Sequence, residues 1–279
     1  MAARFSLQHL LEHDRWIVAA ALAAAVAISA VFIVSGGGTG MSAIGMSLET
    51  GPPGALLAGS PDVISVQAWT LWYGLVIFFM WWMMMVAMMV PSAAPAILLY
   101  GALNRTRGSL GALEFLSGYL VAWAAFSLAI TLVQGVLAAI GLMSDMYMNL
   151  ATPYLGALVL IGAGLYQLTP VKAACLDNCR DPIQALTRYR RKGRAAAFRM
   201  GLIHGAFCVG CCWALMVLLF VGGVMNIWWI TAIAVYVALE KLAPRGRWLA
   251  RTLAVALIVA GIALLVGQMT AAGGFWRAA

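Results

Sequence analysis

Long apolar stretches separated by short polar segments dominate the chain. A transmembrane helix needs about 20 mostly apolar residues, and seven stretches of this kind can be identified in the sequence. They cover residues 16–35, 70–99, 112–142, 154–170, 197–221, 227–242 and 248–269. The pattern therefore predicts an all-α polytopic membrane bundle of about seven transmembrane helices, forming a single domain over residues 1–279.

The composition supports a membrane protein and excludes several other classes. Hydrophobic residues make up 64% of the chain and charged residues only 9%, against about 25% charged residues in an average soluble domain. A chain with so little polar surface is not expected to be a soluble enzyme, a disordered protein or a DNA-binding domain.

The position of the basic residues predicts the orientation of the bundle. If the seven spans alternate, 16 of the 17 Lys and Arg residues lie on one side, and Arg277 is the exception. Basic residues accumulate on the cytoplasmic side of membrane proteins, so the N-terminus is predicted inside and the C-terminus outside. The net charge of +8 then reflects topology rather than nucleic-acid binding, and the bilayer is the expected partner.

The fifth predicted span carries a stripe of side chains that can bind metal. At about 100° per residue, four of them fall on one helical face, namely His204, Cys208, Cys211 and Cys212. Imidazole and sulfur suit soft metal ions such as Cu(I), and they also bind zinc. The alternative is that these residues only pack, because cysteine is a small buried residue. We favour the metal site because four such residues share one face.

The second predicted span is rich in methionine. Six of the ten residues at positions 80–89 are Met, and Met84 and Met88 share a face because they are four residues apart. Neutral thioether sulfur can bind Cu(I) without adding charge to the membrane interior, although methionine also fills gaps in helix packing. Both sulfur-rich spans reach a similar predicted depth, so the two clusters could meet.

Other candidate residues lie nearer the predicted membrane surfaces. Cys175 and Cys179 follow the fourth span, where they could transfer Cu(I), bind zinc, form a disulfide or be ordinary interfacial thiols. Glu240 and Lys241 are interpreted as an interfacial ion pair, and the alternative is that the carboxylate balances a bound cation or relays a proton. Five methionines in the predicted outer loops could collect Cu(I) or simply be scattered surface residues. They are Met41, Met46, Met143, Met146 and Met148.

These segments together resemble a bacterial family of uncharacterised integral membrane proteins with predicted metal binding. The resemblance extends over about residues 72–265. Its motifs are Trp81-x-x-Met84-x-x-Ala87-Met88-Met89-x-Pro91, Lys172-x-x-Cys175-Leu-x-x-Cys179-Arg180-x-Pro182, His204-Gly-x-x-Cys208-x-Gly-Cys211-Cys212-Trp213-x-Leu-Met216 and Glu240-Lys241. The resemblance implies metal binding at the Cys, His and Met residues, and it implies no particular reaction.

The leading hypothesis is a multi-pass protein of the bacterial inner membrane that binds a soft metal ion. We expect Cu(I), with zinc as the alternative, bound for uptake or for delivery to a copper-dependent membrane enzyme or a periplasmic metal-binding protein. The predicted metal ligands are Met84, Met88, Cys175, Cys179, His204, Cys208, Cys211 and Cys212. A nucleotide-binding motif is not recognisable, and we favour a binding protein over an enzyme.

Two other hypotheses remain open from the sequence. The cysteines could form a transmembrane thiol–disulfide oxidoreductase that passes electrons by disulfide exchange. The chain could instead be an accessory or assembly subunit of a membrane enzyme complex, in which the Met-rich span is a packing surface.

Overall fold

The described part of the protein is almost entirely helical. The computed structural model describes residues 2–36, 44, 47, 70–104, 108–143, 148–188, 195–244 and 246–277. Within these residues the only β-type pairing is an isolated bridge between Met143 and Leu150. The prediction of an all-α fold is therefore confirmed.

The helices follow the predicted apolar stretches with shifted ends. In chain order they are α1 (Ala2–Val34), α2 (Leu71–Leu103), α3 (Gly108–Ala139), α4 (Pro153–Gln167), α5 (Pro170–Arg180), α6 (Pro182–Arg188), α7 (Ala196–Val217), α8 (Leu219–Gly222), α9 (Ile227–Leu242) and α10 (Gly246–Arg277).

Five segments in the described residues are long and apolar enough to cross a membrane. They lie in α1, α2, α3, α7 (continued by α8) and α10. The bent pair α4 and α5 adds a sixth if it is counted as one broken span. The helix α9, which matches the predicted span at 227–242, has 16 residues. The count of seven spans and their orientation stay predictions.

The fourth predicted span ends earlier than expected because of local chemistry around a proline. Helix α4 ends at Gln167, and Thr169 caps the next helix by accepting a hydrogen bond from the Lys172 backbone N–H at 3.2 Å. Pro170 then takes the first helical position, where its missing N–H costs nothing. The chain turns by 65° between the two helices, which directs α5 against α7.

Small residues allow α3 and α7 to pack closely. A Cβ atom added at Gly201 would lie 1.8 Å from the carbonyl oxygen of Phe115, and one added at Gly205 would lie 2.6 Å from the Cβ atom of Ala122. Glycine at a helix contact lets two backbones approach. The two glycines thus let α3 lie directly against α7.

Helix α7 lies among several others. It packs along α3 and against α5, while α2 packs along both α1 and α3. Helix α9 reaches α2, and α4 pairs with α10. The helix α2 continues through Pro91 and Pro95 to Leu103. Side chains from α2, α3, α5 and α9 can therefore all reach the sulfur-bearing face of α7.

Candidate metal centre

The predicted stripe on α7 is buried inside the bundle. The thiols of Cys208, Cys211 and Cys212 have at most 1% of their surface exposed, and His204 has 7% exposed. All five cysteines of the chain are free thiols. Two of the three α7 thiols donate to the carbonyl oxygen of Cys208, with Cys211 Sγ at 3.1 Å and Cys212 Sγ at 2.9 Å. The helix thus holds three sulfur atoms close together.

Helix α2 contributes a methionine sulfur to this group. The thiol of Cys212 donates to the thioether of Met89, with the two sulfur atoms 3.8 Å apart. The two sulfur-rich spans therefore meet, as their matching depth suggested. Met84 and Met88 are also buried, but the described hydrogen-bonding contacts of the thiols reach Met89 and not these two residues.

Helix α3 links the two sulfur-bearing helices through one hydroxyl group. The Tyr119 hydroxyl donates to the carbonyl oxygen of Met89 at 3.2 Å and lies 3.0 Å from Cys208 Sγ. The Tyr119 side chain is fully buried. Its ring also lies beside the imidazole of His204, with ring centroids 6.0 Å apart, and the ring of Phe115 lies 5.8 Å away. His204 lies one helical turn before Cys208 on α7, with its imidazole beside these two aromatic rings.

Helix α9 brings a positive charge to the same group. The ammonium nitrogen of Lys241 lies 3.0 Å from Cys208 Sγ, 3.2 Å from the hydroxyl of Ser92 and 4.0 Å from the thioether of Met89. Only 6% of the Lys241 surface is exposed. We call Met89, Cys208 and Cys212 the sulfur centre, and Lys241 lies against two of its three sulfur atoms.

A second pair of thiols lies beside the sulfur centre. Cys211 Sγ is 3.9 Å from Cys179 Sγ on α5, and both thiols interact with Cys208. We call Cys179 and Cys211 the thiol pair. Cys175 lies one turn before Cys179, and its sulfur packs against Gly210, where an added Cβ atom would lie 2.8 Å from it. Both α5 cysteines are partly exposed.

Adjacent residues at the end of α9 bind two different partners. Glu240 pairs with Lys172 of α5 at 2.8 Å, and both side chains are at most 1% exposed. Lys241 points instead to Cys208. The interpretation of Glu240 and Lys241 as an interfacial ion pair with each other is therefore wrong. Successive helical residues point about 100° apart, so each contacts a different neighbouring helix.

The outer-loop methionines are only partly described. Met41, Met46 and Met146 lie outside the described residues. Met143 and Met148 are buried, with 5% and 6% of their surface exposed. These two side chains pack into the core instead of presenting sulfur at the surface for metal collection.

The comparison with known proteins agrees with the cysteine and methionine sulfur atoms found in the sulfur centre and the thiol pair. Residues 78–264 match the protein family described as "PpoB2: Copper chaperone", and the matched region exceeds half of the chain. The chain belongs to the PpoB2 copper chaperone family. No curated protein and no solved structure matches it. The family supports a function related to copper, which agrees with the sequence-based prediction of a metal-binding family.

The PpoB2 match includes every residue of the sulfur centre and the thiol pair. Three residues that contact these sulfur atoms were missed as site residues in the sequence, namely Met89, Tyr119 and Lys241. A signal existed for Met89, because Met85, Met89 and Ser92 recur at the spacing of one helical face. Lys241 was noted in the Glu240-Lys241 motif, but its contact with Cys208 depends on which helices pack together. Tyr119 carried no signal in the sequence.

The ligand types in this PpoB2 chain favour a soft ion with few ligands. Among the described residues, no group of three or more His, Cys, Asp and Glu side chains is placed to hold a metal ion. A metal ion held by the described residues of this region would need thioether sulfur or would have only two thiol ligands. With metal–sulfur bonds of about 2.3 Å, sulfur atoms around a three-coordinate metal are about 4 Å apart. The contacts of Cys212 with Met89, at 3.8 Å, and of Cys211 with Cys179, at 3.9 Å, fit this spacing.

Proposed function

We propose that this protein is an integral membrane copper chaperone that binds Cu(I) at the sulfur centre and transfers it to a copper-dependent protein. The observation that carries the proposal is the contact of Met89 with Cys212, together with the buried Lys241 that contacts both Met89 and Cys208. Two thiols and a thioether form a donor set suited to Cu(I). Structural zinc sites use four ligands in a tetrahedral arrangement, which these three sulfur atoms do not supply.

The thiol pair suggests a route out of the sulfur centre. Cys211 follows Cys208 on α7, and its sulfur lies 3.9 Å from that of Cys179. Cys175 and Cys179 are partly exposed, whereas the thiols of α7 are buried. A Cu(I) ion could therefore pass by ligand exchange from Cys208 to the thiol pair and then to Cys175. This sequence of sulfur atoms leads from the core of the bundle to its surface.

Membrane insertion is supported by the length and composition of the helices. Five segments of the described residues qualify as candidate spans, and the basic residues of the sequence cluster on one predicted side. We propose the bacterial inner membrane as the location, with the N-terminus in the cytoplasm. The surface cysteines of α5 would then face a cytoplasmic or membrane-embedded copper acceptor.

Metal stoichiometry tests the proposal. The purified protein is loaded with Cu(I) under anaerobic conditions, and bound copper is counted in the wild type and in Cys208→Ser/Cys212→Ser. We expect the double variant to lose the bound ion. Equal stoichiometry in the two proteins would contradict the proposal. Cys175→Ser is the matched control, since it lies outside the sulfur centre and should bind the same amount of copper.

The rate of release separates delivery from storage. The loaded protein is mixed with a water-soluble Cu(I) chelator as acceptor, and transfer is followed by absorbance. We expect Cys175→Ser to release copper more slowly than the wild type while keeping its stoichiometry, because the last thiol of the route is removed. An unchanged rate would leave Cu(I) binding intact as a conclusion but contradict the route through Cys175.

The oxidoreductase alternative rests on the short distance between Cys179 and Cys211. If these thiols cycle, they form a disulfide that is trapped by rapid alkylation and detected by mass spectrometry. A disulfide formed under mild oxidation, together with no Cu(I) binding, would favour this alternative over the copper chaperone.

A further inference from the structure

Lys241 is a buried positive charge whose partners are unusual. Its described contacts are with the Ser92 hydroxyl and with the sulfur atoms of Cys208 and Met89. The nearest carboxylate in sequence, Glu240, is engaged with Lys172 at 2.8 Å. A buried charge is costly unless an opposite charge lies nearby. Among the described direct contacts of Lys241, the group that can supply a negative charge is the sulfur of Cys208.

The other charged side chains near the end of α9 are engaged with partners other than the sulfur centre. Lys172 and Glu240 form a neutral buried pair. Arg180 donates to the carbonyl oxygens of Glu240, Ala243 and Pro244 at the end of α9, where the helix carries partial negative charge. The described direct contacts of Lys241 therefore include no carboxylate, and two of the three are with the sulfur centre.

We infer that Lys241 makes the sulfur centre selective for monovalent over divalent ions by balancing its charge. This inference rests on the proposed function. When Cys208 and Cys212 bind one monovalent ion, each thiol releases its proton to solvent, and the resulting site of one ion and two thiolates carries a net charge of minus one. The Lys241 ammonium group, 3.0 Å from Cys208 Sγ, neutralises that charge. A divalent ion on the same thiolates is already neutral, so Lys241 then adds an uncompensated buried charge.

The charge difference is the main distinction between the competing ions. Cu(I) and Zn(II) both have filled d shells and both bind sulfur, and Ag(I) and Cd(II) form a second pair of the same kind. Within each pair the charge differs by one unit. If the ligand types alone set the preference for monovalent ions, removing the charge of Lys241 would not change that preference. If charge balance sets it, removing the charge weakens the preference.

The position of Lys241 is fixed in a way that suits this role. The Ser92 hydroxyl accepts from the ammonium group at 3.2 Å and itself donates to the carbonyl oxygen of Met89 at 2.9 Å. The hydrogen bond to Ser92 therefore holds the ammonium group beside the turn of α2 that carries the Met89 thioether. Lys241 acts on the metal through electrostatics and is a positioning residue, not a ligand.

The test compares the affinity ratio of monovalent to divalent ions in four proteins. Dissociation constants for Cu(I) and Zn(II), and for Ag(I) and Cd(II), are measured by anaerobic competition with chelators for wild type, Lys241→Leu, Lys241→Arg and Lys172→Leu/Glu240→Gln. We expect the ratio of monovalent to divalent affinity to fall at least about tenfold in Lys241→Leu. It should stay within about threefold of wild type in Lys241→Arg, because the charge is kept.

The double variant is the matched control. It removes the buried ion pair between Lys172 of α5 and Glu240, the residue next to Lys241 on α9, without changing the net charge. Its ratio of monovalent to divalent affinity should therefore also stay within about threefold of wild type. If Lys241→Leu does not fold, Lys241→Gln serves instead, since its amide can still donate to Ser92.

An unchanged ratio in the uncharged variant that is measured, Lys241→Leu or its substitute Lys241→Gln, would overturn the inference. A parallel loss of both ions in Lys241→Leu would also overturn it, because that pattern indicates a structural role. The proposed function fails differently, through equal Cu(I) binding by the wild type and Cys208→Ser/Cys212→Ser.

Discussion

The choice between Met89 and Met84 is the most direct test of the site. The sequence pattern singled out Met84 and Met88, whereas the packing of α2 on α7 places the sulfur of Met89 3.8 Å from Cys212 Sγ. Met84 and Met89 are both fully buried on the same helix. Replacing each by leucine therefore makes a matched pair of variants that differ in their distance from the thiols.

The expected loss of affinity follows from the role of the thioether. A swap of methionine for leucine keeps the volume and costs less than about 1.5 kcal/mol of stability. Loss of an outer-shell partner at a metal site lowers affinity by about 10–100-fold, so loss of a ligand should cost at least about tenfold. Tenfold corresponds to about 1.4 kcal/mol. We expect this loss in Met89→Leu and less than about threefold in Met84→Leu.

The assay is an anaerobic titration with a chromogenic Cu(I) chelator as competitor. Thermal unfolding of the metal-free variants verifies that both fold to a similar stability. Equal affinities in the two variants, or a larger loss in Met84→Leu, would refute the assignment of Met89. In a Cys212→Ser background, Met89→Leu should lower the Cu(I) affinity by a smaller factor. The reason is that the effects of two residues that bind the same metal ion are not additive.

Three further predictions concern packing, buried charge and access. Gly201→Ala should destabilise the bundle by about 1–3 kcal/mol in a denaturation assay, because its Cβ atom would lie 1.8 Å from a backbone carbonyl oxygen of α3. The control is Gly162→Ala, whose Cβ atom would have no atom within 4 Å. This variant should be neutral or stabilising by up to about 1 kcal/mol. Lys172→Leu should cost about 3–5 kcal/mol, since it leaves Glu240 buried without its partner, and adding Glu240→Gln should recover most of that loss; a double variant as unstable as the single one would argue against the pair. Cu(I) should slow alkylation of the three α7 cysteines as measured by mass spectrometry, and an unchanged rate would contradict binding there.

The sulfur-bearing face of α7 could be predicted from the sequence because it depends on one helix alone. The 3.6-residue period puts His204, Cys208, Cys211 and Cys212 on one side. All four are buried in the structure. The close approach at Gly201 was predictable for the same reason, since an absent side chain is a local property.

The break between α4 and α5 could not be predicted from the sequence as readily as the face of α7. The predicted span over residues 154–170 ends at Pro170, although proline also begins helices well. The consequence is large, because the 65° turn brings Cys179 to Cys211. A cysteine pair predicted at a membrane surface is therefore in contact with the buried thiols.

The sequence determined the helices, the apolar character and the chemistry of the sulfur-rich faces, because these depend on neighbouring residues along one chain segment. Only the tertiary structure decided that Met89 meets Cys212, that Lys241 points to Cys208 and that Glu240 pairs with Lys172. Those contacts depend on the axial register and rotation of packed helices. A shift of one residue turns a side chain by about 100°, and the apolar surfaces of α2 and α9 do not specify that rotation locally.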